Sequence, residues 1–123
     1  MVTVPGFILR RLYVKRSLRN TSDGFEFQFI NRLGSGYAHK LWPISVDGKE
    51  VAIEDAVFSL DDIETPFVDI SKGNTFTLAM NKVITIRVKN VTLNAGSRKI
   101  GMGFDVPGLG TLKFDFTDVV LNE

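Results

Sequence analysis

Hydrophobic and polar residues alternate near the C-terminus in two runs that flank a turn. Apolar residues occupy every second position from Ile100 to Val106 and again from Leu112 to Phe116, and P-G-L-G at 107–110 separates the runs. This pattern predicts a β-hairpin with one apolar face. Because a lone hairpin is only marginally stable in water, we expect a second sheet to cover that face.

The same alternation recurs upstream, in F-E-F-Q-F at 25–29 and V-I-T-I-R-V-K at 83–89. Seven to nine strands with turns roughly 8–12 residues apart favour an all-β fold, a two-sheet antiparallel β-sandwich forming one domain over residues 1–123. Alternation also assigns the residues of a common core. These are Phe25, Phe27, Phe29, Ile86, Val88, Phe104, Phe114 and Phe116.

Other segments are predicted from weaker patterns. We expect a first strand from Phe7 to Arg19, a third from Tyr37 to Val46, and a tight hairpin turn at Asp47-Gly48. Residues 61–74 combine four acidic residues with Pro66, which is typical of an exposed irregular loop.

Composition narrows the class of protein further. The 123 residues are 44% hydrophobic with no apolar run near 18 residues, so no membrane-spanning helix is expected. The N-terminus lacks the features of a signal peptide, and the sequence has no cysteine, which together favour a cytoplasmic location. The net charge of +1 is too small to indicate nucleic-acid binding.

Catalytic and metal-binding patterns are sparse. His39 is the one histidine, and nothing near it in sequence resembles an orienting group, so a surface or interface position is favoured over a catalytic one. The spacing of Asp61, Asp62, Glu64 and Asp69 matches no defined calcium loop, which favours a solvated acidic loop. We therefore expect no catalytic residue, metal or cofactor in this chain.

Two features indicate a binding surface. Arg10, Arg11, Lys15, Arg16 and Arg19 form a basic stripe, which suits an acidic protein partner better than nucleic acid. Large aromatic residues also lie beside Gly or Pro where the alternation lapses, either as ordinary core or as binding anchors. The predicted partner-binding residues are Tyr37, His39, Trp42, Phe67 and Arg11.

Several longer segments resemble a known family. They are L-Y-V-K-R-S-L-R-N-T-S-D-G-F-E-F-Q-F-I-N at 12–31, V-D-G-K-E at 46–50, I-T-I-R-V-K at 84–89, L-N-A-G at 93–96 and G-L-G-T-L-K-F-D-F-T-D at 108–118. Together they resemble the β-subunit of bacterial C-glycoside deglycosidases, the C-deglycosylation enzymes. These motifs carry the fold and include no catalytic signature.

The resemblance implies a non-catalytic accessory subunit of a carbon–carbon lyase. Its partner would be a TIM-barrel α-subunit carrying a divalent metal, manganese, in a hetero-oligomer that cleaves 3-oxo C-glycosides of flavonoid-type aglycones. No nucleic acid or membrane would be involved. Two alternatives stay open at this point, a carbohydrate-binding module and an adaptor domain.

Overall fold

The computed structural model describes residues 4–32 and 34–121, and most of these belong to antiparallel strands. One four-residue helix, α1 (Gly6–Leu9), precedes the strands. The described strands are β1 (Arg19–Asn20), β2 (Gly24–Ile30), β3 (Gly36–Ala38), β4 (Lys40–Leu41), β5 (Ser45–Val46), β6 (Lys49–Glu50), β7 (Ala56–Leu60), β8 (Ile63–Pro66), β9 (Phe76–Leu78), β10 (Val83–Lys89), β11 (Ser97–Val106) and β12 (Gly110–Val119). The all-β class is confirmed, whereas the single-domain assignment over 1–123 stays a prediction.

Two sheets form the sandwich. Sheet I has the strand order β1-β2-β10-β7-β8, and sheet II has the order β12-β11-β5-β6, with β4 also paired to β11. A short third ladder joins β3 to β9. The predicted C-terminal hairpin is confirmed, since β11 and β12 pair without interruption from Ser97–Val119 to Val106–Gly110.

The core lies between the two sheets and is rich in phenylalanine. The rings of Phe27 in sheet I and Phe116 in sheet II form a T-shaped pair with centroids 5.2 Å apart. All eight predicted core residues are buried in one cluster, so this prediction is confirmed. Period-two alternation identifies these positions because successive side chains of a strand point to opposite faces.

The predicted first strand, Phe7 to Arg19, is wrong. The chain instead forms α1 and a 3-10 helix at Arg10–Leu12, followed by a single antiparallel bridge from Tyr13 to Phe29 and then β1 at Arg19–Asn20. Leu9 and Leu12 are both buried, and a spacing of three residues places them on one helical face. The helical period therefore prevails over the alternation read from the same residues.

Residues 5–18, here called the strap, connect the two sheets along one side. The Val14 N–H donates to the Gln28 carbonyl of β2 at 2.9 Å. Arg10 Nε donates to the Asp115 carbonyl of β12 at 2.7 Å. Because β12 is an edge strand of sheet II, the strap also occupies part of an edge that could otherwise pair with another chain.

Two further segments differ from the sequence prediction. The predicted third strand, Tyr37 to Val46, is divided into β3, β4 and β5, with a bend at His39 and Pro43 between β4 and β5. The predicted irregular loop at 61–74 contains β8 and a 3-10 helix at Phe67–Asp69.

The turn at Asp47-Gly48 is confirmed: both residues have positive φ, 50° and 87°, and join β5 to β6.

Candidate functional site

The segment from β3 to Trp42 carries three of the five predicted partner-binding residues. Tyr37 on β3 is 48% exposed, and His39 at the bend is partly buried. β4 then pairs with β11, with Leu41 opposite Phe104, and the Trp42 N–H donates to the Gly103 carbonyl at 2.9 Å. These pairings hold the Trp42 backbone against the middle of β11.

The Trp42 side chain is half-buried and fixed by a hydrogen bond. Its indole Nε1 donates to Asp105 Oδ1 at 2.7 Å, and the Thr111 hydroxyl donates to the same oxygen at 2.6 Å. The ammonium groups of Lys40 and Lys113 lie 3.9 and 4.4 Å from the ring centroid, within cation–π range. Trp42 is thus a pre-positioned ring on the outer face of sheet II, and not part of the core.

A groove of about 330 Å³ lies beside this ring and is here called the Trp42 groove. Gly101 and Gly103 form part of its lining, with Ser45 and Lys113 beside them. A Cβ atom added at Gly103 would lie 2.9 Å from Lys113 Cγ and 3.5 Å from the Cβ of Trp42. The glycine therefore leaves the space in which both side chains sit, as expected where a strand is closely approached.

The Asp105 carboxylate, which accepts the hydrogen bond from Trp42, is kept ionised by its surroundings. Partial burial alone would raise the pKa of Asp105, but hydrogen bonds from Thr111 and Trp42 and the nearby positive charge of Lys40 outweigh it, so the pKa is lowered. The carboxylate therefore remains a strong acceptor for the indole N–H near neutral pH.

The buried Nδ1 of His39 has no hydrogen-bond partner among the described residues.

The remaining two predicted residues lie elsewhere. Phe67 is 1% exposed and packs against Phe58, with ring centroids 6.4 Å apart. The expectation of an exposed ring there is wrong, because the 3-10 helix at Phe67–Asp69 turns the side chain into the core. Arg11 is exposed on the strap, far along the chain from the Trp42 groove. Whether Tyr37, His39, Trp42 and Arg11 contact a partner stays a prediction.

Sequence reasoning missed the residues that support Trp42. Lys40, Asp105, Thr111 and Lys113 come together only through the pairing of β4, β11 and β12. The sequence indicates only that Asp105, Thr111 and Lys113 fall on the outward face of the predicted hairpin. Strand order, which the pattern leaves open, decides that Trp42 lies over that face.

Charged residues on sheet I form a structural network. Glu26 is buried, and its carboxylate accepts from Arg19 at 3.0 Å and lies 3.5 Å from Arg87. Arg87 also pairs with Glu64 at 3.1 Å. Each acid in this ladder faces at least one cation across neighbouring strands, which is the arrangement that stabilises paired strands.

Within residues 4–32 and 34–121, no three His, Cys, Asp or Glu side chains are grouped closely enough to hold a metal ion. The same part of the chain contains no helix long and apolar enough to cross a membrane.

Comparison with known families corrects the resemblance to a C-glycoside deglycosidase β-subunit. Residues 8–121 match the family described as hydroxymethylglutaryl-CoA reductase, N-terminal domain, whereas no curated protein matches the chain. The lyase assignment and the flavonoid-glycoside substrate are therefore wrong, and the match gives no support to the alternative of a carbohydrate-binding or adaptor module.

The segments behind that resemblance explain the error. F-E-F-Q-F-I lies in β2, I-T-I-R-V-K lies in β10, and G-T-L-K-F-D-F-T-D lies in β12. Such strand patterns carry the packing of a sandwich and contain little that is specific to one activity. With 114 of its 123 residues, 8–121, inside the match, the chain belongs to the family of the hydroxymethylglutaryl-CoA reductase N-terminal domain.

Proposed function

We propose that this chain is a docking domain that binds the catalytic part of a hydroxymethylglutaryl-CoA reductase through the face around the Trp42 groove. One observation carries the proposal. A half-buried indole on the outer face of sheet II is held in place by Asp105 beside an open groove. Because Trp42 lies outside the core cluster, the packing of the sandwich does not account for this arrangement.

The chemistry of the face suits a protein interface. Tryptophan is among the residues that most often dominate binding energy, especially where a rigid ring fits a pocket. Here the ring is fixed before binding, which lowers the conformational entropy lost on association. Lys99, Lys113 and Glu50 surround the groove and would supply a polar rim.

The family description supports the kind of partner. It names the N-terminal domain of a hydroxymethylglutaryl-CoA reductase, and we assign the reduction itself to the rest of such an enzyme. The proposal holds whether the catalytic part is a separate chain or another part of a longer one. It keeps the expectation of a cytoplasmic location, which rests on the absence of cysteine.

Trp42→Ala is expected to weaken binding to the catalytic part of the reductase by about 2 kcal/mol or more, the usual threshold for a dominant interface residue. The melting temperature of the free domain should change much less, because the ring lies outside the core cluster. Isothermal titration of this domain with the catalytic part of the reductase from the same organism measures the first effect, and thermal unfolding measures the second.

Ile63→Ala is the matched control, since Ile63 is 68% exposed on β8 of sheet I. It should bind like the unmodified domain. Trp42→Phe keeps an aromatic ring and removes the hydrogen bond to Asp105, so an intermediate affinity is expected. If Trp42→Ala binds normally, or if the unmodified domain forms no complex, the proposal is contradicted.

A further inference from the structure

The strap and β12 enclose a second groove, of about 540 Å³, on a different part of the surface. We call it the basic groove. Its lining includes four of the cations that the sequence arranges as a stripe, together with aromatic rings and one carboxylate. These residues are Phe7, Arg10, Arg11, Tyr13, Lys15, Arg16, Phe116 and Asp118.

The floor of the basic groove is rigid. The ring of Tyr13 stacks on Phe116 with centroids 3.6 Å apart and planes inclined by 11°. The Tyr13 hydroxyl donates to Asp118 Oδ2 at 2.7 Å, and the Arg16 N–H donates to the same oxygen at 2.8 Å. Burial, with the neighbouring Asp118, raises the pKa of Tyr13, so its hydroxyl remains a donor. The strap is thus fixed to β12 by these contacts.

The charges of the basic groove are unbalanced. Arg10 is paired with Asp115 at 3.3 Å, so its charge is already matched. The side chains of Arg11, Lys15 and Arg16 form no ion pair within 4 Å among the described residues. Asp118 is the one carboxylate in the lining, and its negative charge partly offsets the positive charge of Arg16. Two unmatched cations remain, at Arg11 and Lys15, with Arg16 partly compensated.

The exposed ring of Phe7 completes the groove. Phe7 is 62% exposed at the start of α1, although the strap beside it is well fixed. A large aromatic side chain left this open beside several cations is suited to stacking on a flat, negatively charged molecule. The volume of the groove lies in the range of small-molecule sites.

We propose that the basic groove binds a small phosphate ester that carries a flat ring. Arg11, Lys15 and Arg16 would hold the phosphate, since the guanidinium groups of the two arginines match its oxygens in bidentate geometry and the lysine ammonium adds a positive point charge. The ring would lie against Phe7. This site is separate from the Trp42 groove, and the proposal does not depend on the docking function.

Phenyl phosphate is the probe that combines both parts of the proposed ligand. Titration followed by two-dimensional NMR should show saturable shifts at strap residues, with an affinity about tenfold above that of inorganic phosphate, because only the ester can stack on Phe7. Phe7→Ala should abolish that difference. Phenol, which has no phosphate, should cause no saturable shift.

A double variant tests the cations. Replacing Arg11 and Lys15 with Gln should weaken phenyl phosphate binding at least about tenfold, since charge-assisted hydrogen bonds are lost. Lys72→Gln is the matched control, because Lys72 is an exposed lysine in the Ser71–Asn74 turn, outside the lining of the basic groove. Unchanged melting temperatures would show that the variants fold.

Three results of the phenyl phosphate titrations would overturn the proposal. One is the absence of saturable binding, and another is equal affinity for phenyl phosphate and inorganic phosphate, which would remove the ring from the recognised ligand. The third is a double variant that binds phenyl phosphate as well as the Lys72→Gln control. A single-stranded oligonucleotide that competes for the groove more strongly than any phosphate ester would instead assign the site to nucleic acid, and this too would overturn it.

Discussion

Replacing Phe116 with alanine is expected to lower the free energy of unfolding by about 3–5 kcal/mol. Phe116 is buried where three parts of the chain meet: its ring stacks on Tyr13 of the strap and forms a T-shaped pair with Phe27 in sheet I. The truncation leaves a cavity and removes the surface on which the strap rests. Both losses act on the folded state, so the effect belongs at the upper end of core substitutions.

Denaturant unfolding followed by circular dichroism measures this loss. Phe7→Ala is the control, because the same truncation at a 62% exposed ring leaves no cavity and should change stability by less than about 0.5 kcal/mol. A loss below about 1 kcal/mol for Phe116→Ala would remove the residue from the core.

Gly24→Ala is expected to destabilise the domain by at least about 3 kcal/mol, an unusually large effect for one added methyl group. Gly24 begins β2 and lies opposite Lys89 in β10. A Cβ atom there would clash with the Val88 carbonyl oxygen and lie 2.9 Å from Lys89 Cα. Both atoms belong to the backbone, so the clash is relieved only if β2 and β10 shift apart in sheet I.

Gly73→Ala provides the comparison for this variant. An added Cβ at Gly73 meets no atom within 4 Å, and its backbone does not require positive φ, so the substitution should be neutral or stabilise by up to about 1 kcal/mol. Urea unfolding of the two variants under identical conditions gives the contrast. Equal stabilities would show that β2 and β10 tolerate the side chain and that the close approach has no energetic role.

The strands of the core were predictable because alternation and burial express one physical cause. Phe25, Phe27 and Phe29 point inward since every second residue of β2 faces the opposite sheet. The strap was not predictable in the same way. Leu9 and Leu12 fit a helical turn over only a few residues, and Arg10, which interrupts the alternation, bonds to β12 more than a hundred positions away.

The role of Gly24 illustrates a second limit. In the sequence Gly24 follows Ser22-Asp23 and looks like a turn residue. Glycine is expected in such a turn where the backbone needs a positive φ. In the structure the need for glycine arises from the carbonyl of Val88, which only the pairing of β2 with β10 brings near. Local pattern cannot supply a contact between residues more than sixty positions apart.

The candidate site, too, is only partly predictable from the sequence. Trp42 is predictable from the sequence as a large aromatic residue outside the alternation, and the structure places it on an outer face. Its ties to Asp105 and Lys113 depend on strand order, which hydrophobic periodicity does not determine. Phe67 met the same sequence criterion as Trp42 and is buried, so proximity to proline alone does not distinguish an anchor from a core residue.

The docking proposal can be tested at the groove itself, because Trp42 is the only tryptophan in the sequence. Incorporating 5-fluorotryptophan gives one ¹⁹F resonance from this domain, which can be followed by NMR as the unlabelled catalytic part of the reductase is added. We predict a resonance that shifts or broadens until the two are equimolar. A complex that forms while the resonance stays unchanged would contradict docking through Trp42, and so would the absence of a complex.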